Sequence, residues 1–411
     1  MNILLVILLI IIVLNYIFEL ILDILNLRNR HKSVPDELVD VYPPDRYSLQ
    51  QKYEVETTRF SFLQGAISLV GLLLVLFMGW LGELHSWVAS FEFGAIITTV
   101  LFFAIITMVS KVLSLPFTLW GTFAIEEKYG FNRTTPKLFV IDMIKSMLLT
   151  AILGGGLLSL ITWIFYSTGQ WFWIIALGVI VLFSLLANAL YSRVIVPLFN
   201  KQEPLKEGEL LNSIKEFAQK VGFPVNKVFV IDGSKRSTKA NAYFSGFGRN
   251  RRVVLYDTLL EKMSNDEVLA VLAHEIGHYR KHHIWINLGL GTLQSAVILF
   301  IFGKMASSLE LSIALGFHEA SEPVFHLSLI AFGILFSPIE NVLGIITNSL
   351  SRKMEYQADG FAQKYGLGIS LINGLKKLSA ENLSNLTPHP AYVFVNYSHP
   401  TLLQRVKKIL G

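Results

Sequence analysis

Seven long apolar segments dominate the sequence and restrict it to a membrane fold. About 20 consecutive apolar residues are needed for a helix to cross the hydrocarbon core of a bilayer. Segments of this kind run through residues 3–25, 62–81, 93–113, 147–165, 171–191, 284–302 and 325–346. Charged residues make up 16% of the chain, against about 25% in soluble domains. We therefore predict a mainly α-helical integral membrane protein with seven spans.

The basic residues of the connecting loops predict the orientation, because cytoplasmic loops are enriched in Lys and Arg. The loop between the first two spans carries six of them, and residues 193–281 carry fifteen. The connections 82–92 and 166–170 carry none, and 303–324 carries only Lys304. We expect the N-terminus outside and the polar sequence cytoplasmic, in a bacterial inner membrane or in the endoplasmic reticulum of a eukaryote.

The alternation of apolar and polar sequence divides the chain into four parts. They are residues 1–193 with five spans, 194–283 as a polar domain, 284–346 with two spans, and 347–411 as a C-terminal segment. The pattern within the polar domain predicts a helix over 205–221 and short strands over 227–232, 241–247 and 252–256. A further helix is predicted to start at Ser264, which can form a capping box with Glu267.

That last helix carries the sequence His274-Glu275-Ile276-Gly277-His278 and is expected to run into the sixth span. Two histidines four residues apart lie one above the other on a helix face, where both can bind one zinc ion. Glu275 is rotated by about 100° from His274 and can reach the attacking water without being a ligand. The alternative is a helix with two interfacial histidines and an exposed glutamate.

A catalytic zinc needs three protein ligands and an open fourth position, and no cysteine is available because the chain has none. Glu355 is the predicted third ligand. Glu355 follows the end of the seventh span by about nine residues, and His278 precedes the start of the sixth by about six. At 1.5 Å per residue, both therefore lie roughly 10 Å beyond the hydrocarbon edge. Asp359, one turn after Glu355, is predicted to accept a hydrogen bond from a liganding histidine. Otherwise Glu355 and Asp359 form a solvated charged face.

The remaining histidines are weaker candidates. His282 and His283 are predicted to belong to an interfacial basic cluster. His318 and His326 fall on the opposite side of the predicted membrane, and His389 between two prolines is a predicted loop residue. His399 stays a candidate, because the cytoplasmic C-terminal segment can fold back over the site.

Several separated motifs resemble the Ste24 family of CAAX prenyl proteases, which are membrane zinc metalloproteases of the M48 type. The motifs are residues 126–136 (EEKYGFNRTTP), Asn241-Ala242-Tyr243, His274 to His278, residues 351–359, and Ser398-His399-Pro400 with Arg405. The resemblance implies a seven-helix barrel around an intramembrane chamber, with a gluzincin-like α+β protease domain on the cytoplasmic side. It also implies cleavage of a peptide bond near a prenylated C-terminus.

The resemblance also implies roles for individual residues. The metal ligands would be His274, His278 and Glu355, with Glu275 as the base. Asn241, Ala242 and Tyr243 would belong to an edge strand that pairs with the extended substrate. His399 would donate to the oxyanion, and Arg405 is counted with the substrate-binding residues as the support of that C-terminal segment.

Two other functions stay open on the sequence. A quality-control protease of the HtpX type shares the zinc motif but has fewer spans, and a transporter or channel with a structural zinc would be non-catalytic. The seven spans and residues 126–136 favour the Ste24-like interpretation, and structural zinc sites use four protein ligands. We expect one zinc ion per chain, a peptide or protein substrate, and a monomer in the bilayer. Nucleic acid is not expected, because the basic residues form no stripe.

Overall fold

The computed structural model describes residues 2–223, 227–245 and 252–411, and helices dominate them. The first part contains α1 Ile3–Asn29, α2 Pro44–Phe77, α3 Trp80–Ala89, α4 Ala95–Trp120, α5 Pro136–Leu149, α6 Gly155–Thr168, α7 Phe172–Leu190 and α8 Val196–Phe199. The polar domain contains β1 Gln202–Pro204, α9 Glu209–Lys220, β2 Lys227–Ile231, β3 Ala242–Ser245, β4 Arg252–Tyr256, α10 Asp257–Lys262 and α11 Asn265–Arg280. The rest contains α12 His283–Met305, α13 Leu309–Ala314, α14 Phe325–Lys364, α15 Gly368–Glu381, α16 Pro390–Asn396 and α17 Leu402–Leu410.

Six helical segments in the described part of the chain are long and apolar enough to cross a membrane. They are Ile3–Asn29, Pro44–Phe77, Ala95–Glu126, Pro136–Phe199, His283–Met305 and Phe325–Lys364. The segment Pro136–Phe199 has 64 residues and includes two of the predicted spans. A single straight helix of that length would extend about 96 Å, roughly three times the hydrocarbon thickness. The segment instead breaks at Gly169, between α6 and α7, with φ 52° and ψ −122°.

The spans pack against one another at their two ends and are little buried in between. In α14, buried residues occur from Phe325 to Phe336 and again from Met354 to Ala362, with none between these two groups. The unburied stretch is about 26 Å long at 1.5 Å per residue. The most apolar windows of the six segments are at most 17% buried. The buried contacts of α14 are therefore concentrated near its two ends.

At the end of the bundle remote from the polar domain, the backbone of α3 lies directly against the turn after α13. A Cβ atom on Gly82 would lie 2.2 Å from the carbonyl carbon of Gly316, so α3 and the turn after α13 can meet only because both residues are glycines. The predicted connection 82–92 thus folds largely as α3. Next to this contact, the Nδ1 atom of buried His85 lies 2.9 Å from the Nε2 atom of His326.

The polar domain is built on a four-stranded sheet of order β1-β2-β4-β3. The central pair β2 and β4 is parallel, whereas β1 and β3 pair antiparallel at the two edges. The strand predicted over 241–247 is described as β3 up to Ser245, and its last two positions lie outside the described residues. The helix predicted over 205–221 is α9. Helix α11 shares with the sheet a core that includes Leu255, Leu272 and Ile276.

Candidate active site

Helix α11 begins at the predicted position. The Ser264 hydroxyl accepts a hydrogen bond from the Glu267 backbone, and the Glu267 carboxylate accepts one from the Ser264 backbone at 2.8 Å. This capping box satisfies two donors at the start of the helix. Leu272 and Ile276 are buried on the core side, which fixes the rotation of α11. The prediction for this helix start is confirmed.

Gly277 lets α11 pack directly on α14. A Cβ atom at this position would lie 2.9 Å from the Ala358 Cα atom and 3.0 Å from the Phe361 Cβ atom. Real Cβ contacts are essentially never that short, so only glycine fits without a shift. The close approach carries His274 and His278 of α11 to Glu355 of α14, which continues the last span without interruption as predicted.

Three potential metal-binding atoms meet at this helix contact. The His274 and His278 Nε2 atoms lie 3.2 Å apart, and the Glu355 oxygens lie 3.4 Å from His274 Nε2 and 3.2 Å from His278 Nε2. Donors about 2.1 Å from a tetrahedral ion are about 3.4 Å from one another. Glu355 Oε2 is also buried without a hydrogen-bond partner among the described residues. The donor set therefore fits a zinc-sized cation.

The outer nitrogen of His274 is held by an ion pair. Its Nδ1 atom lies 2.8 Å from Asp359 Oδ1, and Arg405 binds both oxygens of Asp359 at 2.9 and 2.6 Å. Burial lowers the pKa of His274, but the neighbouring carboxylates of Asp359 and Glu355 outweigh burial and raise the pKa to about 9. The two carboxylates thus stabilise positive charge at this ring. Arg405, predicted among the substrate-binding residues, binds Asp359 and also lies 3.3 Å from His274 Nδ1.

The outer nitrogen of His278 has a partner that the sequence did not reveal. His278 Nδ1 lies 2.9 Å from His283 Nδ1, and His283 Nε2 lies 2.9 Å from Gln357 Oε1. The buried His283 ring therefore does not belong to an exposed interfacial cluster, and that interpretation is corrected. Helix α11 also does not run on into α12. The chain breaks at His282, with φ 60°, and turns His283 back toward the site.

A cavity of about 540 Å³ opens in front of these residues. Glu275 lines it beside His274 and His278. One wall is apolar and is formed by Leu259, Val271, Leu371, Leu375 and Leu378. Asn188 of α7 and Asn287 of α12 add amide groups to the lining. The cavity thus joins a carboxylate that can act as a base to polar and apolar surfaces that can hold a peptide.

His399 reaches the same cavity from the C-terminal segment. Its Nε2 atom lies 3.4 Å from Glu355 Oε1, and the side chain is 63% exposed. The Ser398 hydroxyl is 3.0 Å from the Nδ1 atom, which leaves Nε2 directed at the site. Arg352 of α14 holds the preceding residues through the carbonyls of Val393 and Tyr397. The expected return of the C-terminal segment is therefore present.

The predicted substrate strand lies at the edge of the sheet. Asn241 and Ala242 line the cavity, whereas the Tyr243 ring packs against Tyr191 and Tyr256. Side chains of a strand alternate between its faces, so Tyr243 is directed away from the cavity. Of the weaker candidates, His326 contacts His85 at the end of the bundle remote from the polar domain. The Nδ1 atom of His389 accepts a hydrogen bond from the Ala391 backbone at the start of α16.

Comparisons with known proteins agree with this geometry. Residues 23–201 match the model of the CAAX prenyl protease N-terminal region with five membrane helices, and residues 204–411 match peptidase family M48. The rice CAAX prenyl protease 1 homolog is 35% identical over 97% of this chain and 95% of its own length.

The human CAAX prenyl protease 1 homolog is 34% identical over 92% of this chain and 88% of its own length. The crystal structure of Ste24p from S. mikatae superimposes with a TM-score of 0.92 at 31% identity, covering 100% of this chain and 99% of that one. The chain therefore belongs to the M48 peptidases and is a membrane metalloprotease of the Ste24-like CAAX prenyl protease family.

Proposed function

We propose that this protease cuts a peptide bond near a prenylated C-terminus, with one zinc ion held by His274, His278 and Glu355. The observation that carries the proposal is the spacing of 3.2–3.4 Å between the two Nε2 atoms and between each of them and a Glu355 oxygen, beside a cavity that Glu275 also lines. A zinc ion bound there would supply a Lewis acid that polarises the scissile carbonyl and acidifies water. Protein residues would perform the proton transfers.

Glu275 is the proposed general base. Its carboxylate takes a proton from the attacking water and later passes it to the leaving amine. The adjacent ligand His274 lies on the same helix, so the distance from the base to the reacting atoms is fixed by α11 itself. The proposal for Glu275 is supported by its position in the cavity wall.

His399 is the proposed donor to the oxyanion that forms on the cut carbonyl. Support comes from its Nε2 atom, which lies 3.4 Å from Glu355 Oε1. A carbonyl group bound at the zinc site would lie next to this nitrogen. Removal of one oxyanion donor typically costs about 3–4 kcal/mol of transition-state stabilisation. Its high exposure suits a group that must reach a substrate and not a core.

The edge strand β3 is proposed to pair with the extended peptide through its backbone. An added strand gains main-chain hydrogen bonds along a free edge. Asn241 and Ala242 line the cavity, whereas Tyr243 would contribute its backbone alone. Arg405 is proposed to act from behind, by holding Asp359 and through it His274.

The proposed topology has seven spans, with the N-terminus outside and the polar domain cytoplasmic. The break at Gly169 divides the 64-residue segment into two spans, and the matching family model of the N-terminal region is described with five membrane helices. Helices α12 and α14 add two more. The low burial along the middle of the spans supports a chamber, into which the prenyl chain of a substrate would extend. We also propose that the parts of the chain meet at residues 193/194, 283/284 and 346/347. The polar domain is proposed to be gluzincin-like, and the protein to be a monomer.

The test uses purified full-length protein and three substrates. A farnesylated C-terminal peptide should be cut, its unprenylated twin should be cut more slowly, and a denatured membrane protein should not be preferred. A Glu275→Gln variant should retain its fold and its zinc while losing at least about a hundredfold in rate, as expected when a general base is removed. Equal cutting of both peptides would contradict the prenyl specificity, whereas activity in Glu275→Gln would contradict the assignment of the base.

A further inference from the structure

A second cavity lies outside the bundle, at the end where the polar domain is attached. It is an open groove of about 770 Å³ between the end of α1, the first turns of α2 and the residues that follow α4. Four of the side chains that line it are always positively charged, namely Arg30, Lys52, Arg59 and Lys128, and one, Glu56, is acidic. We call this cavity the basic groove. It is separate from the protease site, whose cavity shares no lining residue with it.

Most of the positive charge in the basic groove is uncompensated. The single carboxylate, Glu56, already pairs with Lys128 and accepts a hydrogen bond from the Tyr129 hydroxyl at 2.7 Å. Arg30, Lys52 and Arg59 take part in no ion pair among the residues that the structure describes. Lys52, Glu56 and Arg59 are spaced by about one turn, so they share one face of α2. Arg30 also interacts electrostatically with Glu54, which is not among the residues that line the groove, so the groove offers an anion the unpaired cations Lys52 and Arg59, with Arg30 beside them.

The depth of the groove matches the phosphate layer of a membrane. Arg59 precedes the apolar stretch 62–81 by three residues, and Arg30 follows the stretch 3–25 by five. At 1.5 Å per residue these positions lie about 5–8 Å beyond the hydrocarbon edge, within the headgroup region. By the same count Lys52 and Leu49 lie about 15 and 20 Å beyond that edge, so the end of the groove that carries Arg59 and Arg30 is the part at the depth of lipid phosphates. A lipid phosphate is already present at that depth, whereas a free phosphate must come from solution.

We propose that the basic groove binds the headgroup of an anionic phospholipid. Its phosphodiester would lie between Arg59 and Arg30, with the long side chain of Lys52 reaching toward it from the water side, and its acyl chains would enter the bilayer beside α2. Basic pockets beside membrane helices bind such headgroups, with about 1 kcal/mol, or roughly fivefold in affinity, for each Lys or Arg. The proposal uses the span positions and is independent of the protease chemistry.

The test measures lipid binding to purified full-length protein in detergent, by native mass spectrometry with dioctanoyl phosphatidylglycerol and dioctanoyl phosphatidylcholine. Phosphatidylglycerol should bind preferentially, and the double variant Lys52→Gln/Arg59→Gln should bind it roughly 25-fold more weakly. The matched control is Lys206→Gln/Lys215→Gln, which removes two exposed charges from the polar domain. Unchanged binding in the groove variant, or an equal loss in the control, would overturn the proposal.

A variant with the opposite expected sign guards against misfolding as an explanation. Glu56→Gln removes the only acid of the groove while keeping its size, and it should bind phosphatidylglycerol about fivefold more tightly. Damage to the fold would not produce such a gain, and its absence would count against the site. Inorganic phosphate provides the last arm. If phosphate alone competes as well as phosphatidylglycerol does, the groove is an anion site and not a lipid site, and the proposal is wrong.

Discussion

The two imidazoles of the proposed zinc site are oriented through different partners. His274 is held by Asp359 and Arg405, whereas His278 is held by His283. The contact of Asp359 was predictable from the sequence, because it stands one turn after Glu355 on a helix whose direction the last span sets. The contact of His283 was not predictable, because it depends on the positive φ of His282, and no residue pattern in this stretch indicates that turn.

The partner of His278 can be tested directly. His283→Ala removes the group that fixes the tautomer and orientation of that ring, and loss of such a partner typically lowers metal affinity about 10- to 100-fold. Zinc affinity should fall by at least tenfold in a competition titration with a chelator. His283→Gln, which can still bond to the ring, should recover part of the loss. The control His282→Asn changes an exposed neighbour and should bind zinc like the wild type. If all three variants bind zinc with the same affinity, His283 is not the partner that orients His278.

The pair of Asp359 and Arg405 makes a stability prediction. Both side chains are buried, at 1% and 10% exposure, and removing one partner of a buried ion pair typically costs about 3–5 kcal/mol. Asp359→Asn should therefore lower the apparent melting temperature of the purified protein clearly. Arg405→Gln combined with Asp359→Asn leaves no lone charge and should recover part of that loss. If the melting temperature of the double variant falls by the sum of the losses in the two single variants, the two side chains act independently. In that case the ion pair is not what stabilises the site.

At the scale of elements, the crossing of α11 and α14 determines whether the site exists. The sequence allowed both helices to be predicted, since a capping box marks the start of one and hydropathy marks the other. Their distance of approach depends on Gly277, whose absent side chain admits the backbone of Ala358. In contrast, α3 was missed, because the lack of Lys and Arg in residues 82–92 predicts the side of the membrane and not the conformation.

Gly277→Ala tests the crossing. The added methyl group must push against the Ala358 backbone, and overpacking of this kind typically costs about 1–3 kcal/mol. We expect a lower melting temperature together with weaker zinc binding, because Glu355 moves away from both histidines. The control is Gly360→Ala on α14, where nothing lies within 4 Å of the added atom. That substitution should be neutral or slightly stabilising, since alanine favours a helix; a neutral Gly277→Ala would refute the close crossing.

At the scale of the whole molecule, the sequence predicted the class of fold well and its interior poorly. The bilayer imposes the same requirements on every span, which are an apolar stretch and the right loop charges, so a sequence reveals them directly. How the spans pack against one another depends on side-chain shape. Nothing in the apolar residues of α14 distinguishes the packed stretch before Phe336 from the unburied stretch after it.

The proposed orientation can be measured with single cysteines, because the natural chain has none. Ser90→Cys at the end of α3 should react with a membrane-impermeant maleimide in intact cells. Lys215→Cys on α9 should react only after the membrane is opened. Both positions are exposed, so burial does not decide the outcome. Labelling in the reverse order would invert the topology and place the polar domain outside.

The glycine contact at the remote end of the bundle has a consequence for the membrane itself. Backbone meets backbone there, at Gly82 and Gly316, and no side chain can swing aside to open a passage. The chamber proposed above would therefore be closed to ions between α3 and the turn after α13, and a cut peptide would leave it by another route.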